Sequence, residues 1–127
     1  MKELRFEYCE ICKKMHLVVD DKAPKTMCCG QPMKVLTANT TDGAKEKHVP
    51  AVELGERELK VHIGSVTHPM TEEHHISFIA VLFEDGSYAL KEFDHTGEPT
   101  AIFPVGEVKP VAAYEFCNLH GLWKAEI

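Results

Sequence analysis

Leu59-Lys60-Val61-His62-Ile63 alternates apolar and polar side chains with a period of two, which predicts a strand with one buried face. Ile76 through Phe83 is a longer run of β-branched, aromatic and aliphatic residues, and Glu84-Asp85-Gly86-Ser87 follows it. Asp-Gly between apolar runs is a strong hairpin signal, so Tyr88 to Phe93 reads as the return strand. His95-Thr96-Gly97-Glu98-Pro99 is a second turn, and Ala101-Ile102-Phe103 and Val111 to Phe116 are further strands. No segment after residue 50 repeats with the 3.6-residue period of a helix. Short strands separated by turn signals predict a mainly β protein built as an antiparallel β-sandwich.

Residues 1–37 have a different texture. Their apolar residues come in short groups such as Leu17-Val18-Val19 and Val35-Leu36. A segment of this size cannot bury enough apolar surface to be stable alone, and such units rely on a metal or on disulfides. The polar stretch Thr37-Ala38-Asn39-Thr40-Thr41-Asp42-Gly43 reads as a linker or long loop into the second domain, residues 38–127. There is no internal repeat and no low-complexity tract.

Composition narrows the function. With 44% apolar and 27% charged residues, the chain is a folded globular one. A net charge of -6 argues against a nucleic-acid surface or an anionic-membrane surface. No apolar run approaches a membrane span, and the start Met1-Lys2-Glu3-Leu4-Arg5-Phe6-Glu7 has charges where a signal peptide needs an apolar stretch. The expected compartment is the cytoplasm.

The five cysteines and eight histidines then become the informative residues. In a reducing compartment clustered cysteines are more often metal ligands than bridges, and neutral imidazole is the commonest metal ligand. Cys9-x-x-Cys12, fifteen intervening residues and Cys28-Cys29-Gly30 have the spacing of a four-thiolate site. Adjacent ligands at Cys28 and Cys29 are unusual, and Gly30 could relieve the turn with a positive φ. Four thiolates suit zinc and iron alike. A purely structural zinc site is the plain alternative, and a Cys28–Cys29 disulfide would leave Cys9 and Cys12 unexplained.

A second set is scattered: Glu46-Lys47-His48-Val49-Pro50, His68-Pro69-Met70, His74, and Cys117-Asn118-Leu119-His120-Gly121. Each fragment alone is weak, since a lone histidine is more often a surface or core residue than a ligand. Together they supply one thiolate and up to four imidazoles, more than tetrahedral zinc needs. His62 sits on the polar phase of its strand and is expected to face solvent. His16 and His95 read as loop or strand-end residues. His74 and His75 cannot both point inward from one extended strand, and the phase of Ser77 favours His74.

The whole series resembles desulfoferrodoxin, the two-iron form of superoxide reductase: Cys-x-x-Cys, Cys-Cys-Gly, Glu-Lys-His-x-Pro, His-Pro-Met, a histidine six residues on, and Cys-Asn-x-His-Gly-x-Trp. The likeness runs over essentially the full chain. It implies a desulforedoxin-like domain over 1–37 that holds iron, or zinc, through Cys9, Cys12, Cys28 and Cys29. It implies an immunoglobulin-like β-sandwich over 38–127 whose iron is held by His48, His68, His74 and His120 in a plane, with Cys117 axial. One departure is visible: family members often carry a glycine soon after the second cysteine, where this chain has Lys13-Lys14-Met15.

The same resemblance implies a superoxide reductase that reduces superoxide by one electron to hydrogen peroxide at a ferrous site with an open sixth position. A rubredoxin-like protein would re-reduce it, and the chain would form a homodimer. Lys47 is the candidate for steering the anion, and Glu46 resembles the family glutamate that occupies the sixth position of oxidised iron. Two unit charges 4 Å apart interact by about 1 kcal/mol in bulk water and about 4 near a protein surface, so Lys47 matters only at close range. The competing readings are an electron-transfer protein without substrate chemistry and a zinc-stabilised β-sandwich that binds a partner protein.

Overall fold

The computed structural model describes residues 3–22, 24–41 and 43–127. Met1 and Lys2, at the start of the expected N-terminal domain, and Asp42, in the expected linker, lie outside the described residues, as does Ala23. The chain divides into two compact units, residues 3–37 and 38–127. Among the described residues no helix is long and apolar enough to cross a membrane.

The smaller unit has more regular structure than its sequence pattern predicts. β1 (Arg5–Tyr8) pairs antiparallel with β2 (Met15–Val18) on one side and β5 (Lys34–Val35) on the other. β3 (Met27–Cys28) and β4 (Gln31–Pro32) form a separate short hairpin. His16, read from sequence as a loop or strand-end residue, lies inside β2 opposite Glu7. The buried apolar residues are Leu4, Phe6, Cys9 and Met33. Four side chains make too small a core to account for a stable fold by themselves.

The larger unit is a sandwich of two antiparallel sheets. After the short helix α1 (Lys45–His48), β6 (Pro50–Leu54), β7 (Glu58–Ile63) and β10 (Thr100–Pro104) form one sheet in the order β10-β7-β6. β8 (Ile76–Phe83), β9 (Tyr88–Glu92), β11 (Pro110–Cys117) and β12 (Gly121–Glu126) form the other, in the order β12-β11-β8-β9. Leu59, Val61 and Ile63 of β7 meet Ile79 and Val81 of β8 and Ala113 and Cys117 of β11 in one core. The predicted hairpin is present: Asp85 accepts hydrogen bonds from the Ser87 backbone and hydroxyl, and β8 runs straight back into β9.

Three positions differ from the sequence reading. His62 is half-buried rather than solvated, because its ring nitrogens lie within hydrogen-bond reach of the Thr100 and Thr67 hydroxyls. The described part of the 37–43 stretch is a loop, but it is tied to the edge strand β12. The Asn39 backbone N–H donates to the Leu122 carbonyl, its side-chain amide donates to the Lys124 carbonyl, and its amide oxygen accepts from the Lys124 N–H. An Asn side chain can imitate a peptide group in this way and cover an otherwise open sheet edge. Finally, His74 and His75 precede β8 in a loop, so strand alternation does not govern them.

Glu115 is the exception inside the core. It shares the inward face of β11 with Ala113 and Cys117, is fully buried, and neither carboxyl oxygen has a hydrogen-bond partner among the described residues. Burial raises its pKa well above the ordinary carboxylate value, which favours the neutral form. An unsatisfied buried polar group costs about 1–3 kcal/mol. Glu115→Leu, which removes that group at similar volume, is therefore expected to raise stability at pH 7 by about that amount. Denaturant unfolding followed at Trp123 measures it, and a lowered midpoint would show that Glu115 has a favourable partner.

Candidate metal centres

Two donor clusters emerge, one in each unit. In the first, the ligand atoms of Cys9, Cys12, Cys28 and Cys29 all lie within 4.8 Å of one another. Cys12 Sγ is 3.5 Å from Cys28 Sγ, which is 4.0 Å from Cys29 Sγ. Tetrahedral bonds of about 2.3 Å place sulfurs roughly 3.8 Å apart. No disulfide is present among these residues, and Cys12 and Cys29 are exposed while Cys9 is buried. The adjacency of Cys28 and Cys29 is solved by the backbone: Cys29 has φ +52° and Gly30 has φ +78°.

The protons in this cluster point to a cation. The backbone N–H of Cys12 approaches Cys9 Sγ at 3.5 Å and, with that of Ile11, pulls Cys9 down to about 6. Hydrogen bonding to the Cys12 and Cys9 sulfurs, with burial, pushes Cys28 up to about 12, and the same causes raise Cys29. Four close sulfurs cannot all carry charge without a positive ion among them. That is the behaviour of a thiolate set that takes a soft or borderline metal.

The second cluster is assembled from distant stretches. His48 ends α1, His68 and His74 lie in the loop before β8, Cys117 ends β11, and His120 sits in the turn to β12. Ring centroids are 4.8 Å apart for His48–His68, 4.6 Å for His68–His74, 5.1 Å for His74–His120 and 4.8 Å for His48–His120, each pair near-perpendicular. His48 and His74 are 6.5 Å apart. Four near-equal sides and one longer separation describe a square of imidazoles with its diagonal. The donor atoms of His48, His74, Cys117 and His120 lie within 4.8 Å of one another, and His68 completes the square from outside that tighter group.

Which nitrogen faces inward is fixed from behind. His48 Nδ1 lies 2.8 Å from the Ala44 carbonyl and His68 Nδ1 lies 2.7 Å from that of Pro69. Each Nδ1–H donates outward, which leaves Nε2 as the inward lone pair. His120 is turned the other way: its Nδ1 is 3.1 Å from His48 Nε2 and 3.8 Å from Cys117 Sγ. Nε2 of His68 and of His74 are buried with no hydrogen-bond partner among the described residues. Burial, above all, lowers the pKa of His48, His68 and His74, that of His68 to about 4. Neighbouring imidazoles add to this, and at His48 and His74 so does the Lys47 ammonium. Inward-facing imidazole nitrogens beside a buried thiol, two of them without a partner among the described residues, fit a metal ion that accepts both nitrogen and sulfur.

Glu46 and Lys47 are both exposed on α1, next to His48. Their backbone is seated on the turn at Gly64. The Val66 N–H donates to the Glu46 carbonyl at 2.8 Å, and the Gly64 N–H donates to the Val49 carbonyl at 3.2 Å. Gly64 has φ +85°, and a Cβ there would fall 2.3 Å from the Val66 carbonyl oxygen and 2.7 Å from that of Lys47. Only glycine fits such a position. Asn118 ties the remaining parts together. Its Oδ1 accepts from the His75 N–H at 2.9 Å, and its Nδ2 donates to the Glu73 carbonyl at 2.9 Å. Sequence reasoning gave neither Gly64 nor Asn118 a role. Asn118 stood inside the Cys-x-x-His spacing, but nothing in the spacing shows which loop it clamps.

The departure at Lys13 has a measurable cost. Its N–H closes the cysteine loop on the Cys9 carbonyl at 2.8 Å, and its φ is +69°. A non-glycine residue in the left-handed region loses about 1–2 kcal/mol. Against this, its ammonium donates to the exposed Glu10 carbonyl at 2.8 Å, a contact in open solvent. Lys13→Gly is therefore expected to raise the urea midpoint for loss of metal from the cysteine cluster, by up to about 1 kcal/mol in stability. A midpoint that fell would mean the lysine contacts outweigh the backbone strain.

The desulfoferrodoxin family profile matches residues 40–126. The chain is similar to the desulfoferrodoxin of Desulfarculus baarsii, 41% identical over 98% of both chains. It is similar to that of Nitratidesulfovibrio vulgaris, 50% identical over 79% of this chain and 78% of the other. Among solved structures, the superoxide reductase from Treponema pallidum superposes with a TM-score of 0.81 at 35% identity, covering 98% of this chain and 99% of that one. With its fold, its two donor clusters and its matched length in agreement, the chain belongs to the desulfoferrodoxin family.

Proposed function

We infer that the protein is a superoxide reductase, and the observation that carries this is the square of four imidazoles with the buried Cys117 thiol beside it. His48, His68, His74, His120 and Cys117 would hold iron. Iron there supplies the electron that, with two protons, converts superoxide to hydrogen peroxide. Cys9, Cys12, Cys28 and Cys29 would hold the second metal, iron or zinc. The family likeness and the superoxide reductases of similar fold support the reading.

The chain's own residues do the rest. Burial of Cys117 and of His48 and His68 keeps water from the inner side of the site, whereas half-buried His74 and His120 border the side a substrate can reach. Lys47 places a cation whose field is felt at His48 and His74, and it draws in an anionic substrate and orders water for proton delivery. Glu46, exposed beside it on the same turn, would supply a carboxylate close to the chain segment that carries His48. Reduction by a rubredoxin-like donor and assembly as a homodimer extend this reading from the family resemblance. A cytoplasmic setting agrees with five free cysteines.

The test is stoichiometric. Reduced protein with iron at both sites should consume superoxide and yield one hydrogen peroxide each, without release of dioxygen. Dioxygen release would make it a dismutase. Iron confined to the cysteine cluster, with no consumption, would make it an electron carrier, and a colourless zinc protein would make it a binding module. Lys47→Ile should keep its iron and react on the order of tenfold more slowly at low ionic strength, the difference shrinking as salt is added. An unchanged rate constant in stopped-flow or pulse-generated superoxide would remove Lys47 from the steering role.

A further inference from the structure

Trp123, the single tryptophan, is almost fully buried on β12, away from the loops that carry most of the donors. Its ring stacks on His48 with centroids 5.1 Å apart and planes 24° from parallel. Its Nε1–H donates to the His120 carbonyl at 3.0 Å. One side chain therefore contacts the ring of one donor and the main chain of its neighbour in the square. The same carbonyl accepts a second hydrogen bond from the Thr41 hydroxyl. Gly121, at φ +84°, lets the chain turn back at once, so that the His120 carbonyl meets the indole three residues further along the chain. Gly43 closes over the group: a Cβ there would lie 3.2 Å from His48 Cε1, 3.2 Å from Trp123 Cζ2 and 3.3 Å from His120 Cβ.

We propose that Trp123 is a positioning residue of the histidine site, setting the orientation of His48 by stacking and of His120 by its N–H bond. The proposal rests on the reading of that site as an iron centre. Stacking fixes the plane in which the His48 lone pair can point, and the doubly bonded carbonyl fixes the turn that aims His120 Nδ1. The His48 ring and the His120 main chain are thus held by contacts that do not involve the metal. Residues that orient ligands without touching the metal commonly change affinity by about 10–100-fold when removed.

The experiment uses the full-length protein, stripped of metal and reloaded with ferrous iron. Wild type is compared with Trp123→Phe, which keeps a stacked ring but loses the donor, and Trp123→Leu, which loses both. Thr41→Val, a milder change, removes only the second donor to the His120 carbonyl. The readouts are iron affinity of the histidine site, the energy of its thiolate-to-iron band and its reduction potential. Expected are a small band shift in Thr41→Val, affinity about tenfold weaker in Trp123→Phe and on the order of 100-fold weaker in Trp123→Leu, with iron at the cysteine cluster unchanged. Wild-type affinity, band and potential in all three variants would overturn the role of Trp123. Wild-type protein that takes up iron at the cysteine cluster alone would overturn the iron-centre reading instead, so the two failures are distinguishable.

Discussion

Four imidazoles and a thiol converge on one small space, where burial lowers the pKa of three of the imidazoles, those of His48, His68 and His74. Two of the inward nitrogens, on His68 and His74, have no hydrogen-bond partner among the described residues. Each unsatisfied buried group costs about 1–3 kcal/mol, against a net stability for a domain of about 5–15. The arrangement is thus a substantial fraction of what the fold can tolerate. A divalent ion reverses the sign, since metal binding that is coupled to folding releases on the order of 10 kcal/mol in small structural sites. The rest of the larger unit can be understood as the means of holding these donors together without that ion.

The means are backbone contacts rather than more side-chain packing. His48 is carried on one turn of helix, and that turn rests on Gly64, where any side chain would collide with main-chain oxygens. His74 is held in a loop closed by Thr71, whose N–H and hydroxyl donate to the His74 carbonyl, and that loop is clamped to the Cys117–His120 turn by the Asn118 amide. The two sheets supply the rigid ends from which these loops start. A site spread over some seventy residues of chain is precise only because each loop is pinned within a few residues of its ligand.

That division explains what could be read from sequence. Ile76–Phe83 was legible as a strand because its run is long and its hairpin carries Asp85-Gly86. β12 was not, because Gly121, Lys124 and Glu126 interrupt its apolar residues, and β1 and β2 were too short to show a period. β8 and β11 are buried on both faces, so alternation along them carries little information. His74 was chosen over His75 partly by strand phase, yet both lie in a loop, and the side chain points inward because of the Thr71 turn. The donors were legible as spaced fragments of Cys and His. Gly64, Asn118 and Trp123 were not, since their importance comes from what lies opposite them in space.

The two clusters differ in how far they depend on the fold. The cysteine cluster is gathered by two local turns, with left-handed backbone at Lys13 and Cys29, and two of its four residues remain exposed. Its metal can be expected to shape the small unit more than the small unit shapes it. The histidine site works the other way. Cys117 belongs at once to the donor set and to the hydrophobic core, in one cluster with Ile63, Ile76 and Ile79. Its sulfur cannot shift without disturbing packing that is as dense as an organic crystal. Two residues before it, on the same face of β11, Glu115, without a hydrogen-bond partner among the described residues, sits beside its cross-strand neighbour Trp123, which in turn stacks on His48. Core packing and the geometry of the donor set are therefore joined through β11, and substitutions behind Cys117 are expected to reach the donors through that strand.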